Sequence, residues 1–301
     1  MTKSRNIARH LIGLIGVVII SWASAVAQDP VDVIKIGVDL VTINVSVTEK
    51  KGHPVMGLQR ENFFVTDEGK PVSLEFFDSN GPASIVFVVD ISSSMRGDKW
   101  QNLMQAMKKF LATAHEGSDY TLIVFGDRPQ LVARAVNAAE LWRDMASLRP
   151  YGMTALYDAM LLGLNALERL PQRHKAIVLL SDGEDNFSRA RLFDVQLAAR
   201  THRATIYAVG LLLKQRDLAP WQPNGKEFLD KLTSATGGLM LLPGPEQILG
   251  VLGQINADVS GHYCLSYYPP DTVTGWRHIQ VAIARRPQQV NLRYQERYLR
   301  R

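Results

Sequence analysis

The run Ile85–Met95 constrains the fold more than any other stretch of this sequence. Residues 85–89 are all apolar, and several are β-branched or aromatic, which predicts a fully buried strand. That strand ends on Asp90, followed at alternate positions by Ser92 and Ser94. A carboxylate and two hydroxyls are hard oxygen donors of the kind that Mg²⁺ or Mn²⁺ prefers, and open α/β sheets bind ligands at the carboxyl ends of their strands. The run therefore predicts a divalent-metal site at the top of an α/β domain.

From residue 84 to residue 259 the pattern alternates between apolar strands and amphipathic helices. Such alternation predicts a doubly wound, mostly parallel, Rossmann-like sheet that is covered by helices on both faces. The predicted strands are Ile85–Asp90, Tyr120–Phe125, Gln130–Ala135, Lys175–Asp182, Thr205–Gly210 and Leu239–Leu242. The predicted helices are Lys99–Ala114, Ala138–Leu148, Ala155–Leu170, Phe193–Arg203, Lys226–Ala235 and Pro245–Val259.

The two segments that flank this region both have the character of β structure. Alternating residues predict strands in 28–80, including a hairpin with its tip at Asp67–Lys70, and again in 259–301. Neither segment is long enough for a comfortable domain of its own. We therefore expect the two segments to pair into one small β-sandwich, with the α/β domain of residues 81–258 inserted between them.

The first 27 residues have the pattern of a secretory signal peptide. Three basic residues, Lys3, Arg5 and Arg9, precede the apolar run Leu11–Ile20, and Ala25–Ala27 forms a small-residue cleavage pattern. We expect cleavage after Ala27, export to the periplasm or the exterior, and no stable membrane span afterwards. The alternative is an uncleaved membrane anchor.

Charge and cysteine content exclude some functions. The formal net charge of +5 falls to +2 without the three basic residues of segment 1–27, so charge gives no case for nucleic-acid binding. Cys264 is the single cysteine, so no disulfide forms within the chain. Its strand-like setting predicts a buried, inert thiol rather than a nucleophile.

Two further segments place oxygen donors near the predicted site. Thr154 lies at a loop-to-helix junction, and Asp182 ends a second buried strand. Together with the Asp90-x-Ser92-x-Ser94 motif, these segments resemble the metal-ion-dependent adhesion site of von Willebrand factor type A domains. The resemblance covers roughly residues 82–258 of this chain.

The resemblance implies a role for each residue. Ser92, Ser94 and Thr154 would ligate a metal through their hydroxyls, and Asp90 and Asp182 would act through bound waters or as hydrogen-bond acceptors. The implied metal is Mg²⁺, with Mn²⁺ or Ca²⁺ as alternatives. Its open position would take an Asp or Glu carboxylate from a partner protein.

The flanking segments are similar to those of exported acidobacterial proteins that carry this domain. The similarity lies in the pattern from Val45 to Phe63 and in the run Tyr263–Tyr267. It bears on the fold and the site more than on a biological role.

Each piece of the site also has a simpler interpretation. A single Asp90 or Thr154 is often a helix cap, and Asp182-Gly183 is a common turn. Glu184 and Asp185 are either supporting acids or solvated ones, and Asp158 is better read as a helix-surface or capping acid than as a ligand. Four residues are expected to rim the site: Ser93, Met95, Tyr151 and Met153.

The preferred hypothesis is an exported, metal-dependent protein–protein interaction or adhesion module that is not an enzyme. No common catalytic motif occurs in the sequence. His262 and Cys264 share a strand face, but no third catalytic group accompanies them. The alternatives are an envelope metal-dependent hydrolase or enzyme subunit, and a metal-stabilised structural scaffold.

Overall fold

The computed structural model describes residues 40–211, 223–244, 247–284 and 290–300. The predicted signal peptide, residues 1–27, lies outside the described residues. So do the beginning of the N-terminal β segment and positions 245–246 of the last predicted helix. Within the described residues, no helix is both long enough and apolar enough to span a membrane.

The strands and helices follow the predicted alternation closely. The strands are β1 (Val41–Glu49), β2 (Phe63–Asp67), β3 (Lys70–Val72), β4 (Leu74–Ser79), β5 (Ala83–Asp90), β6 (Asp119–Phe125), β7 (Pro129–Val136), β8 (His174–Ser181), β9 (Thr205–Gly210), β10 (Met240–Leu241), β11 (Tyr263–Tyr267), β12 (Gly275–Ile283), β13 (Val290–Arg293) and β14 (Arg297–Arg300). The helices are α1 (Asp98–Ala112), α2 (Ala138–Ala146), α3 (Leu156–Leu167), α4 (Leu192–Thr201), α5 (Pro223–Ser234) and α6 (Ile248–Ser260).

A six-stranded sheet forms the centre of the molecule, in the order β10-β9-β8-β5-β6-β7. Helices α1, α2 and α6 pack against one face and α3, α4 and α5 against the other, so each face has its own apolar core. Because both faces are covered, the central strands carry apolar residues on both sides rather than at alternate positions alone. The predicted α/β class and the mostly parallel sheet are confirmed.

Only β7 runs against its neighbour in this sheet. It pairs antiparallel with β6, whereas β5, β6, β8, β9 and β10 pair in parallel. The reason is the connection, since β6 ends at Phe125 and β7 begins at Pro129. A link this short permits a hairpin, while a parallel pair needs a crossover of about a dozen residues or more.

Strands from the two flanking segments pair with one another in two four-stranded sheets, β13-β1-β11-β4 and β14-β12-β2-β3. The first sheet joins β1 to β11 and β11 to β4, and the second joins β2 to β12. Apolar residues of both sheets form one core that includes Val45, Phe63, Leu265, Val281 and Tyr298. The segments before and after the α/β region are therefore held together by their own sheets and core.

The predicted hairpin tip is confirmed. Strands β2 and β3 pair with Asp67 opposite Lys70, which leaves a two-residue turn. Glu68 and Gly69 both have positive φ, 51° and 74°. This is the backbone that two-residue hairpin turns require, because it matches the twist of the strands.

The alternating stretch 289–298 lies within the predicted β segment 259–301. It forms two short strands instead of one: β13 pairs with β1, and β14 pairs with β12 in the other sheet. Alternation reports only that one side of a strand is buried, so it cannot reveal that the chain changes sheets between Arg293 and Arg297.

A buried ion pair joins strands from the two ends of the chain. Asp67 is fully buried at the end of β2. Its carboxylate accepts hydrogen bonds from Arg277 Nε at 2.8 Å, Tyr298 OH at 2.7 Å and Tyr267 OH at 3.0 Å. These bonds satisfy a charge that would otherwise be costly to bury.

Replacing Gly250 by alanine is expected to stabilise the protein by about 0.5–1 kcal/mol, because glycine is a poor helix former and the site has room. Gly250 lies on the exposed side of α6, where an added Cβ meets nothing within 4 Å. Urea unfolding followed by circular dichroism would measure the change.

The matched control is Gly163→Ala in α3, where an added Cβ would lie 3.0 Å from Val88 Cγ2 of β5. The free energy of unfolding of this variant is expected to rise less than that of Gly250→Ala, or to fall below that of the wild type. Equal gains at both positions would contradict the packing argument.

Candidate metal site

The site begins where two neighbouring parallel strands end. β5 and β8 pair in register, with Val89 opposite Leu180. Asp90 and Ser181, the last residues of the two strands, therefore meet at the carboxyl edge of the sheet, and Asp182 follows directly. This arrangement of two strand ends is what the apolar runs in the sequence predicted.

Asp90 is fully buried, and backbone and side-chain donors orient its carboxylate. Its Oδ1 accepts from the Ser92 amide at 2.8 Å, and its Oδ2 accepts from the Ser181 hydroxyl at 2.9 Å. Burial, followed by repulsion from Asp182, raises the pKa of Asp90 to about 6, although hydrogen bonds from Ser92 and Ser181 act in the opposite direction. The two acids are thus close enough to repel each other electrostatically.

A chain of hydroxyls links the first motif to the second strand end. Ser92 Oγ lies 3.0 Å from Ser94 Oγ, and Ser94 Oγ donates to Asp182 Oδ2 at 2.9 Å. Ser92 is buried, whereas Ser94 is exposed at the mouth of the site. The structure therefore brings together four of the five predicted residues: Asp90, Ser92, Ser94 and Asp182.

The fifth residue, Thr154, is buried in a loop that contacts both other segments. The Ser93 amide donates to Gly152 O at 3.0 Å, which joins this loop to the first motif. The Thr154 amide donates to Asn186 Oδ1 at 3.0 Å, which joins it to the loop after β8. In the described part of the chain, no hydrogen bond connects the Thr154 hydroxyl with the other four residues.

The shape of the Thr154 loop depends on Gly152 and Asp127, which sequence reasoning did not identify. Gly152 has a φ of +85°, and an added Cβ would lie 2.8 Å from Asp127 Oδ1. That oxygen also accepts the Met153 amide at 2.6 Å. In the sequence, the position of Asp127 shortly after the buried strand β6 was the feature that could have indicated a place near the site.

The acids whose roles were open fall into two groups. Asp185 Oδ2 accepts the Tyr157 amide at 2.9 Å, and the Asp158 carboxylate accepts the amides of Arg189 and Ala190. These two acids anchor the loop between β8 and α4. Glu184 is exposed to solvent.

A cation borders the site from α1. Lys99 Nζ lies 3.8 Å from Asp182 Oδ2, and each of the two side chains is only 11% exposed. The amphipathic pattern predicts a helix that begins at Lys99 but does not indicate that Lys99 borders the site. Its position five residues after Ser94 was the one feature of the sequence that could have indicated a place near the site.

The expected rim is partly wrong. Tyr151 and Met153 are 55% and 47% exposed, but Met95 is completely buried in the core beneath α1. A short 3₁₀ turn, Ser93–Met95, follows the motif and directs Met95 inward. Phe187, which is 52% exposed, joins the rim instead, since its amide donates to Thr154 O.

The donor set fits a hard divalent cation. Every side-chain donor in the set is a hydroxyl or carboxylate oxygen, and Mg²⁺, Mn²⁺ and Ca²⁺ favour such ligands. Among the described residues, no group of three or more His, Cys, Asp or Glu side chains could hold a metal ion.

The His262–Cys264 pair is buried and engaged elsewhere. His262 Nε2 lies 2.9 Å from Tyr207 OH. Burial raises the pKa of the Cys264 thiol to about 11, which keeps it protonated near neutral pH. These surroundings suit a structural role.

The domain at the centre of this chain has known relatives. Residues 85–184 match the von Willebrand factor type A domain. The inter-alpha-trypsin inhibitor heavy chain H4 of Homo sapiens is 32% identical over 171 residues, which cover 52% of this chain and 18% of that protein. The chain thus contains a von Willebrand factor type A domain, and it spans less than a fifth of the heavy chain that it matches.

A solved structure shares the fold. Proximal thread matrix protein 1 from the mussel byssus superposes with a TM-score of 0.52 at 17% identity, covering 64% of this chain and 51% of that one. A second structure of the mussel protein has a zinc-occupied MIDAS motif, and it superposes with a TM-score of 0.50 at 18% identity, covering 64% and 49%. Domains of this type typically mediate protein–protein interaction and adhesion.

Proposed function

We propose that this protein is an exported, metal-dependent interaction module that binds a partner's carboxylate through a divalent cation. The observation that carries the proposal is the chain of contacts from Ser92 through Ser94 to Asp182, beside the buried Asp90. Oxygen donors from two strand ends converge there, at the edge of the sheet where ligands bind. Export is proposed from the pattern of residues 1–27.

The metal is proposed to be Mg²⁺, with Mn²⁺ and Ca²⁺ as alternatives. Ser92, Ser94 and Thr154 would hold it through their hydroxyls, and Asp90 and Asp182 would accept hydrogen bonds from its waters. The zinc in the mussel protein's MIDAS motif supports a divalent ion in this type of site. Neutral hydroxyl ligands leave most of the ion's positive charge available to an incoming carboxylate.

The surface around the site supports a protein partner. Tyr151, Met153 and Phe187 expose large apolar groups on the loops that hold Thr154. Beside Phe187 lies a cavity of about 490 Å³ that is lined by two acids and two cations, Asp127, Asp158, Arg128 and Arg189. Exposed apolar groups around the proposed ion suit a partner segment that carries an apolar residue beside the acidic residue that reaches the ion.

We propose a binding role rather than catalysis. The acids near the site, Asp127, Asp158 and Asp185, accept backbone amides and hold loops. A general base must reach the proton that it removes, and these carboxylates are committed to shaping the site.

The first test replaces Ser94 by alanine and follows the binding of Mg²⁺ and Mn²⁺ by calorimetry. Wild-type protein is expected to bind one ion, and Ser94→Ala is expected to lose about ten- to a hundredfold in affinity, because changes in metal-binding shells cost at least this much. Ser94 is exposed, so the substitution leaves the core intact.

The matched control is Ser147→Ala, an exposed serine after α2 whose hydroxyl donates to Asp144 O at 2.8 Å. Its metal affinity should equal that of the wild type. A wild-type protein that binds neither ion at millimolar concentration would overturn the metal site, and equal binding by Ser94→Ala would overturn the assignment of Ser94.

A second experiment tests whether the bound ion takes a carboxylate ligand, with acetate as the probe. Mn²⁺-loaded protein is expected to broaden the acetate methyl proton resonance, since a bound paramagnetic ion relaxes the nuclei of its ligands. The Ser94→Ala variant should give much less broadening. Equal broadening of acetate and of tert-butanol, which has no carboxylate, would contradict carboxylate binding.

A further inference from the structure

Lys99 occupies an unusual position for a lysine. It is the second residue of α1, yet its side chain is only 11% exposed and its ammonium lies 3.8 Å from Asp182 Oδ2. Lysine side chains normally keep their charged end in water, because burial of an unpaired ammonium is costly. The position of this ammonium against an acid at the metal site therefore calls for an explanation.

The oxygen that Lys99 faces belongs to the proposed metal set. Asp182 Oδ2 also accepts the Ser94 hydroxyl at 2.9 Å. Asp90, the second acid, is buried and close enough to repel Asp182. A fixed positive charge here reduces the repulsion between the acids whenever the site holds no other cation.

We infer that the Lys99 ammonium is the resident cation of this site and competes with the divalent ion for Asp182. The inference rests on the proposed function, because it concerns the same metal set. An ammonium and a divalent ion at one carboxylate repel each other, so the metal binds more weakly than the oxygen donors alone would allow. Lys99 sets the metal affinity and keeps the acids compatible with folding when metal is scarce.

The test compares Lys99→Met with wild-type protein in calorimetric titrations with Mg²⁺ and Mn²⁺. Lys99→Met is expected to bind both ions roughly tenfold more tightly, since a unit positive charge close to the site is removed. The melting temperature without metal should fall, and its rise on addition of Mg²⁺ should exceed that of the wild type. The second readout does not depend on any partner.

Two controls separate charge from packing. Lys109→Met removes a charge from an exposed position on the same helix and should leave metal affinity within about twofold, because solvent screens distant surface charges. Lys99→Arg keeps the positive charge and should not tighten binding. If Lys99→Met does not fold, Lys99→Gln removes the charge with a polar side chain and is expected to tighten binding in the same way.

The outcomes distinguish this inference from the proposed function. If neither the wild type nor the neutral Lys99 variants bind metal at millimolar concentration, the metal site itself is overturned. If the wild type binds metal and the neutral variants bind equally or more weakly, Lys99 does not compete and this inference alone fails.

Discussion

Replacing Gly238 by alanine is expected to prevent stable folding, with a loss of about 4 kcal/mol or more, since overlap with backbone atoms cannot be relieved by rotamer changes. A Cβ on Gly238 would overlap the carbonyl oxygen of Ile206 and lie 2.6 Å from its carbonyl carbon. Ile206 is fully buried in β9, which is paired on both sides, with β8 and with β10. The strand therefore has little freedom to move away.

The glycine cannot move away either, because its own backbone is held. The Gly238 amide donates to Thr233 O at 2.9 Å and closes the end of α5. Yield of soluble protein, circular dichroism and urea unfolding would measure the effect. Gly250→Ala, at an open helical position, is the matched control and is expected to be at least as stable as the wild type. A Gly238→Ala protein with wild-type stability would show that the turn after α5 relaxes.

Replacing Asp258 by alanine is the second large change, with an expected loss of about 3–5 kcal/mol, because buried charged and polar partners would be left unsatisfied. Asp258 Oδ1 accepts from Arg293 Nη2 at 2.6 Å and from Ser46 Oγ at 2.7 Å. Asp258 Oδ2 accepts from Tyr207 OH at 2.6 Å. One carboxylate of α6 thus binds the central sheet through β9 and the flanking sheet through β1 and β13.

The contribution of Asp258 to the free energy of unfolding should depend on pH. Burial acts to raise the pKa of Asp258, but hydrogen bonds and charge from His262 and Arg293 outweigh it and hold the pKa well below its ordinary value. In the unfolded chain an aspartate titrates near pH 3.9. The stabilisation is therefore complete above about pH 5 and is lost progressively as the pH falls below about 4.

Urea unfolding of the wild type and Asp258→Asn, from about pH 7 to about pH 2.5, isolates this effect because asparagine does not titrate. The stability difference between the two proteins should shrink as the pH falls. Asp230→Ala, at an exposed acid on α5, serves as the control and is expected to change stability by no more than about 0.5 kcal/mol. A difference that stays constant with pH would contradict the depressed pKa.

Much of the fold and part of the site could be predicted from the sequence. The apolar runs that became β5 and β8 predicted two buried strand ends, and those ends carry Asp90 and Asp182 on the same edge of the sheet. The hairpin tip at Glu68 and Gly69 was also predictable, because the short polar turn between strand-like runs is a local signal. These features depend on periodicity and on residue type within a few neighbouring positions.

The parts that were missed depend on contacts between distant residues. The place of Met95 beside the motif predicts a rim residue, but the turn Ser93–Met95 directs its side chain into the core. The sequence pattern predicts an ordinary helix residue at Lys99, whereas in the fold its ammonium lies close to the Asp182 carboxylate. Neither outcome has a signature in the local pattern, since each depends on where a separate segment of the chain lies.

The sequence by itself determined the α/β class, the apolar central strands and the chemistry of the oxygen donors, because hydrophobic periodicity and functional groups are local properties. Only the tertiary structure decided which charges meet. Ser46 and Asp258 are 212 positions apart, and Asp67 and Arg277 are 210 apart, yet each pair is hydrogen-bonded in the interior. Burial of a charge is stable only with a partner, and the partner's identity depends on how the strands of the two chain ends pair around the inserted domain.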